Sequence, residues 1–232
     1  MKCPMTQTTI LDLANVIADA LGMSRRAVEY AASDLSNNDM IGRLDELAAV
    51  EDATRLVIGV TGNFDAKPPW RAVKRFWHLP LVAIKILDEC SNSITAHVTV
   101  SEDSEYVTAV RGYYGDSFGQ AFLNILGDAI FLPHCTKTPS SKISLSGSPG
   151  RTSATLSFYC SEGIGMMCFD DSVSTCNEPA LHGMPVASPL HTIEIPEAIF
   201  QVLNDALQDL PFSLAGSEIG DLDVYSRRPI EF

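Results

Sequence analysis

The sequence predicts an α+β protein in two parts: a helical part over residues 1–85, then an antiparallel sheet with two packed helices over residues 86–232. Three observations carry this reading. Apolar residues between 10 and 60 recur at three- and four-residue spacing, the period of a helix with one buried face. From about Ile86 apolar and polar residues alternate, as in half-buried strands, with two returns to helical spacing. The chain has 232 residues, 46% of them apolar, enough to bury a sizeable core.

The first helix runs through Ile10, Leu13, Ile17 and Leu21, with Thr8 or Thr9 placed to cap it. Gly22 ends it, because the residue after a helix is often forced to positive φ, which glycine takes without strain. Ser24 can cap a second helix, in which Val28, Ala31 and Leu35 share the inner face and Arg25, Arg26, Glu29, Tyr30 and Ser33 the outer one. Small Ala18 lets the two helices cross closely. Residues 44–50, and Ala53, Leu56, Val57 and Val60, keep helical spacing; "RLVIGV" also fits a buried strand, and the spacing favours helix. Pro68 and Pro69 make a local turn. After them WRAVKRFW sets Arg71, Lys74 and Arg75 on one helical face and Trp70, Val73 and Trp77 on another. That basic face is either a phosphate-contacting surface or a solvated face over a tryptophan-anchored core.

In the second part, strands are expected at Ile94, Ala96, Val98 and Val100, at residues 143–145, and at Ala154, Leu156, Phe158 and Cys160. A turn at 161–163 makes "GIGMMCF" the return strand of a hairpin, and "LHTIEIP" is a further strand leading into a helix at 197–207. Phe118, Ala121, Phe122, Ile125, Leu126 and Ile130 give the other helix. There is no internal repeat and no heptad run.

Charge and motifs narrow the chemistry. The net charge of −13 is unevenly divided: residues 1–80 carry nine Lys/Arg against ten Asp/Glu, whereas residues 81–232 carry seven against nineteen. Any basic surface therefore lies in the first third, and the acidic remainder would hold phosphate away from itself. Neither Gly59-Val60-Thr61-Gly62 nor Gly147-Ser148-Pro149-Gly150 ends in the Gly-Lys-Ser/Thr of a phosphate-binding loop. "GIG" at 163–165 lacks the strand before it and the helix after it that a dinucleotide site needs, and no GxSxG occurs. The six cysteines, at 3, 90, 135, 160, 168 and 176, include no CxxC pair and read as reduced thiols, with Cys160 and Cys168 on the inward parity of their strands. His134-Cys135, or Cys176 with His182, are the only thiol pairings that suggest a nucleophile. Gaps of 8, 6 and 9 between Cys168, Cys176, His182 and His191 match no zinc knuckle or ribbon, and the stretch reads as a loop between strands. Neither enzymatic activity nor a metal or cofactor is expected. The N-terminus has no signal-peptide core and no apolar run spans a bilayer, which points to the cytoplasm without membrane partners.

Ala18, Gly22 and Val28, with apolar Ile17, Leu21, Met23 and Ala31 between and after them, resemble the helix-turn-helix of bacterial and phage repressors over about residues 8–41. The resemblance implies that residues 24–35 form a recognition helix whose N-terminal residues enter the major groove. Arg25 or Arg26 would make a bidentate contact to guanine, helped by Ser24, Glu29, Tyr30 and Ser33, with Arg71, Lys74 and Arg75 on phosphates. It further implies a transcriptional regulator that binds double-stranded DNA as a homodimer across half-sites about 34 Å apart, its acidic second part mediating association or partner sensing. Such domains usually carry a helix before the pair. Too few residues precede Thr8 for one, so downstream segments must complete the core. Asp39 to Gly42 looks like the exit of a winged variant, but no two-stranded wing follows. The order of segments is similar to that of small prophage DNA-binding proteins. The competing reading is an acidic protein-interaction module, a phage-type inhibitor or DNA mimic, without DNA binding.

Overall fold

The computed structural model describes residues 8–63, 68–87, 94–99, 105–131, 143–148, 151–160, 163–171, 191–196 and 198–207. Four helices come first: α1 (Ile10–Leu21), α2 (Arg25–Asn37), α3 (Val50–Thr61) and α4 (Pro69–Trp77). Then follow β1 (Leu81–Leu87), β2 (Ile94–Thr99), α5 (Glu105–Tyr114), α6 (Phe118–Phe131), β3 (Ile143–Ser148), β4 (Arg151–Cys160), β5 (Gly163–Asp170), β6 (His191–Ile195) and α7 (Ala198–Leu207). The architecture is α+β, as the sequence predicts.

The first helices form for local reasons. Thr9 caps α1 by accepting from the Asp12 amide at 3.2 Å, while the Asp12 carboxylate accepts from the Thr9 amide at 3.3 Å, a reciprocal capping box. Thr8 acts at longer range, donating its hydroxyl to the Ala206 carbonyl at 2.7 Å and so tying the start of α1 to the end of α7. Gly22 stops α1 in the left-handed region at φ 64°, and the Gly22 and Met23 amides fold back onto Ala18 and Asp19. Ser24 then caps α2, accepting from the Ala27 amide at 3.3 Å. The apolar stripe Ile10, Leu13, Ala14, Ile17 and Ala18 is buried against Val28, Ala31, Ala32 and Leu35 of α2. "RLVIGV" is helical, inside α3. Asp52 steadies the start of that helix by accepting from the Ala49 amide at 2.8 Å and from the Gly42 amide at 3.1 Å. The connector between α2 and α3 carries one isolated bridge, Thr9 to Leu47, and no wing; residues 44–49, expected to be helical, form a turn and extended backbone, and the helix begins only at Val50.

All six described strands run antiparallel in the order β2-β1-β5-β4-β3-β6. Register aligns their apolar residues in rows across the sheet, since side chains alternate faces. Ile84, Met167, Leu156, Ile143 and Ile195 form one row, and Leu81, Phe169, Ala154, Leu145 and Ile193 the next. All but Ile193 are buried. The opposite parity carries half-buried Lys85, Ser144, Ser146, Ser153, Thr155, Met166 and Cys168. Cys168 therefore departs from expectation: it lies on the face away from Met167 and Phe169, opposite Thr155. Burial pushes its thiol above the ordinary cysteine range, against the pull of nearby Lys85. "GIG" departs from expectation too, because β4 does precede it; the triplet lies within β5, so no helix opens after it.

The expected division at 85/86 falls inside β1, which is paired on both sides, with β2 and with β5. One hydrophobic core runs from Ile10 in α1 to Leu207 in α7. Phe118 of α6 joins its parts. Its ring centroid lies 6.4 Å from Phe76 of α4, 5.9 Å from Phe122 and 5.6 Å from Phe169 of β5, in tilted or edge-on geometries. Phe122 continues the chain of rings to Phe200 of α7 at 6.1 Å. The two foreseen helices, α6 and α7, thus lie where the halves meet: α6 touches α3, α4 and β4, and α7 packs on α1 and α6. Beside Phe118, Gly119 permits the close approach of Trp77, whose indole stands 2.3 Å from where a β-carbon would be.

Helix α5 and the strand character of β1 are additions to the expected elements. Cys3, Cys90, His134, Cys135, Cys176, His182 and most of the loop between Cys168 and His191 lie outside the described residues, as does Val100. Phe118→Ala would remove a ring shared by α4, α6 and β5. It should lower unfolding free energy by about 3–5 kcal/mol in urea titrations, with helix and sheet signals still lost in one transition.

Candidate nucleic-acid interface

The turn between α1 and α2 fixes which residues stand clear of the body. Residues 22–27 are all exposed, whereas Val28, Ala31, Ala32 and Leu35 are buried. The first turn of α2 is therefore an outward tip on an anchored helix. Of the residues expected on its outer face, Ser24, Arg25, Arg26 and Tyr30 are exposed, Tyr30 at 64%, while Glu29 and Ser33 are half-buried.

The two arginines are in different states. Arg25 is clamped by Asp19 across the turn, with Nη2 to Oδ2 at 2.8 Å and Nε to Oδ1 at 3.2 Å. This hydrogen-bonded pair holds the Asp19 carboxyl below its ordinary range and raises Arg25. Both side chains are over 60% exposed, so water and salt screen the pair. Arg26 has no ion-pair or hydrogen-bond partner among the described residues. It borders an open cleft of about 440 Å3 between the start of α2 and the α3–α4 corner, where Gly59, Val60, Asn63 and Pro69 form the far wall.

Helix α4 brings the second basic group beside the first. Pro68 and Pro69 open the helix without donors, and the first free amide, on Trp70, donates to the Asp34 carboxylate of α2 at 3.2 Å. Pro69 reaches the cleft that Arg26 borders, so the α2 tip and the α4 start share one surface. On α4, Val73 and Phe76 lie in the core and Trp70 and Trp77 pack, partly buried, against it. Trp70 stands at the border of the two faces, where Arg71 and Lys74 lie over its ring at 5.2 and 4.9 Å. Trp77 is half-buried and carries Arg55 over its ring at 4.8 Å. Arg71 and Lys74 are exposed and Arg75 is half-buried.

Three features of this surface are not foreseen from the sequence: the Asp19–Arg25 clamp, the Asp34 cap on α4 and the cleft. The clamp has a weak signal, opposite charges six residues apart across a glycine turn; the other two depend on tertiary packing. Among the described residues no three His, Cys, Asp or Glu side chains gather in a metal-holding group. No described helix is long and apolar enough to cross a membrane. Comparison with protein-family models, curated proteins and solved structures finds no match in any of the three.

The clamp fixes a pH dependence. A carboxyl held low in the folded state stabilises it above the ordinary carboxylate range, and that contribution is lost as pH falls through the depressed value. In Arg25→Gln, carbon-detected NMR titration should show Asp19 titrating at higher pH than in the unmodified chain. The difference should narrow as salt is raised.

Proposed function

We propose that this protein is a sequence-specific regulator of the bacterial or phage type that binds double-stranded DNA as a homodimer, with residues 24–35 in the major groove. The observation that carries the reading is the exposed first turn of α2, held outward by the left-handed Gly22 and offering Arg26, which has no ion-pair or hydrogen-bond partner among the described residues. A guanidinium at a helix tip can meet guanine O6 and N7 together, a contact that discriminates by about 1–3 kcal/mol. Arg25 can exchange Asp19 for a phosphate at small cost, because an exposed pair contributes little. Arg71 and Lys74 on the adjoining surface suit phosphates, which set register without specifying sequence. Pairing follows from affinity: one helix-turn-helix makes few phosphate contacts, and two half-sites about 34 Å apart double them.

The uneven charge favours one rival, an acidic interaction module that binds a basic protein. Selection of bound fragments from random duplex DNA separates the two, since such a module retains none. For the selected duplex, Arg26→Ala should cost about 5- to 150-fold in affinity and relax preference at one base pair. Lys74→Ala should weaken all sequences alike and lower the slope of log affinity against log salt by about 0.9. Affinity unchanged in the double variant Arg25→Ala, Arg26→Ala at fixed salt would refute the assigned reading head.

A further inference from the structure

The Asp19–Arg25 pair sets charge against the dipoles of both helices it joins. Asp19 lies in the last turn of α1, which carries no basic residue, and Arg25 and Arg26 open α2, whose first turn carries no acidic one. A helix favours cations at its C-terminal end and anions at its N-terminal end. A basic residue at 19 facing an acidic one at 25 would bridge the same turn and suit both dipoles. Stability alone therefore does not account for the arrangement. What it delivers is an exposed guanidinium held from one side by a carboxylate.

The hold uses one edge only. A guanidinium offers paired N–H donors along two edges, a side-on edge of Nε and Nη2 and an end-on edge of Nη1 and Nη2. Asp19 takes the side-on edge, 3.2 Å from Nε and 2.8 Å from Nη2. Nη1 has no hydrogen-bond or ion-pair partner among the described residues, and the Arg25 side chain is 63% exposed. The end-on edge is thus open while the clamp is shut. The shut pair is neutral overall, and Glu29 is near enough to act on the same guanidinium, so phosphate in general meets little net charge there. The donor pattern survives this neutralisation, and it is the pattern that guanine O6 and N7 accept. A side chain already fixed also loses less freedom on binding.

We infer that Asp19 is a positioning residue for base recognition: in the matching complex it stays on Arg25 and presents the end-on edge to a second guanine, beyond the one met by Arg26. Exchange of Asp19 for a phosphate then belongs to non-matching duplex, where no base edge fits. The inference rests on the duplex reading.

The test uses the full chain, the duplex selected from random sequence, its single-base-pair variants and a non-matching duplex of equal length. Arg25→Ala should relax preference at one base pair, distinct from that relaxed by Arg26→Ala. Asp19→Ala, an exposed change, should cost about 2- to 12-fold in discrimination at the Arg25 base pair alone. The same variant should tighten binding to the non-matching duplex and steepen its slope of log affinity against log salt by about 0.9, because the released cation takes a phosphate. In the double variant Asp19→Ala, Arg25→Ala, discrimination should equal that of Arg25→Ala alone. The inference is overturned if Asp19→Ala leaves the preference at that base pair intact, even with tighter binding to both duplexes, or if Arg25→Ala relaxes no base pair. A chain that retains no duplex overturns the duplex reading as well; retention with an unmoved preference overturns the role of Asp19 alone.

Discussion

The ring of Phe118 is where the helical layer and the sheet become one body. It lies against Phe76 from the N-terminal helices and against Phe169 from an inner strand, so neither layer is closed without it. The inner face of the sheet and the α3–α4 pair would otherwise present apolar surface to water, an unfavourable exposure that scales with area. Trp77 over Gly119 and the Thr8 bond to Ala206 reinforce the join at two further points, one beside the aromatic cluster and one at the start of α1. Elements from downstream cover the first helix pair: α7 packs on α1, and α3 with α4 packs on α2.

This constraint gives the candidate interface its geometry. A helix pair joined by a short turn is a weak platform by itself, because isolated helices of twelve or thirteen residues are marginal in water. Here α2 is held by Val28, Ala31, Ala32 and Leu35 on its inner side and by the Asp34 bond to the start of α4 on its flank. The anchored body of the helix fixes the direction of its exposed tip. Asp19 engages one arginine of the tip, and its neighbour Arg26 has no partner among the described residues.

What can be read in the sequence is what short-range chemistry decides. Thr9, Gly22 and Ser24 act on amides or carbonyls within five residues of themselves, and their roles follow from side-chain oxygen and φ preference alone. The alternating strands β3 and β4 are legible because one of their faces is buried and the other is polar, and β5 is legible from the turn that precedes it. By contrast β1, "LVAIKIL", is an inner strand whose apolar run continues that of the preceding helix, so no period marks it as a strand or as part of the sheet. Helix α5, "EYVTAVRGYY", has no clean apolar stripe to announce it. Trp70 has Val73 three residues on and Lys74 four residues on as helical neighbours, so it packs against the core and carries a cation at once. The Asp34 cap joins residues 36 apart, and no local rule reaches that far. Strand alternation alone leaves the parity of Cys168 open; the pairing with Thr155 settles which side it takes.

Anchored in this way, α2 opens only with the whole molecule while its first turn stays exposed. Native-state hydrogen exchange measures this directly. The amides of Ala32 and Leu35 should share the highest opening free energy with those of Leu156 and Met167 in the sheet, and the amides of residues 23–26 should exchange quickly. Early, separate exchange of α1 and α2 as a unit, with the sheet still protected, would contradict the account.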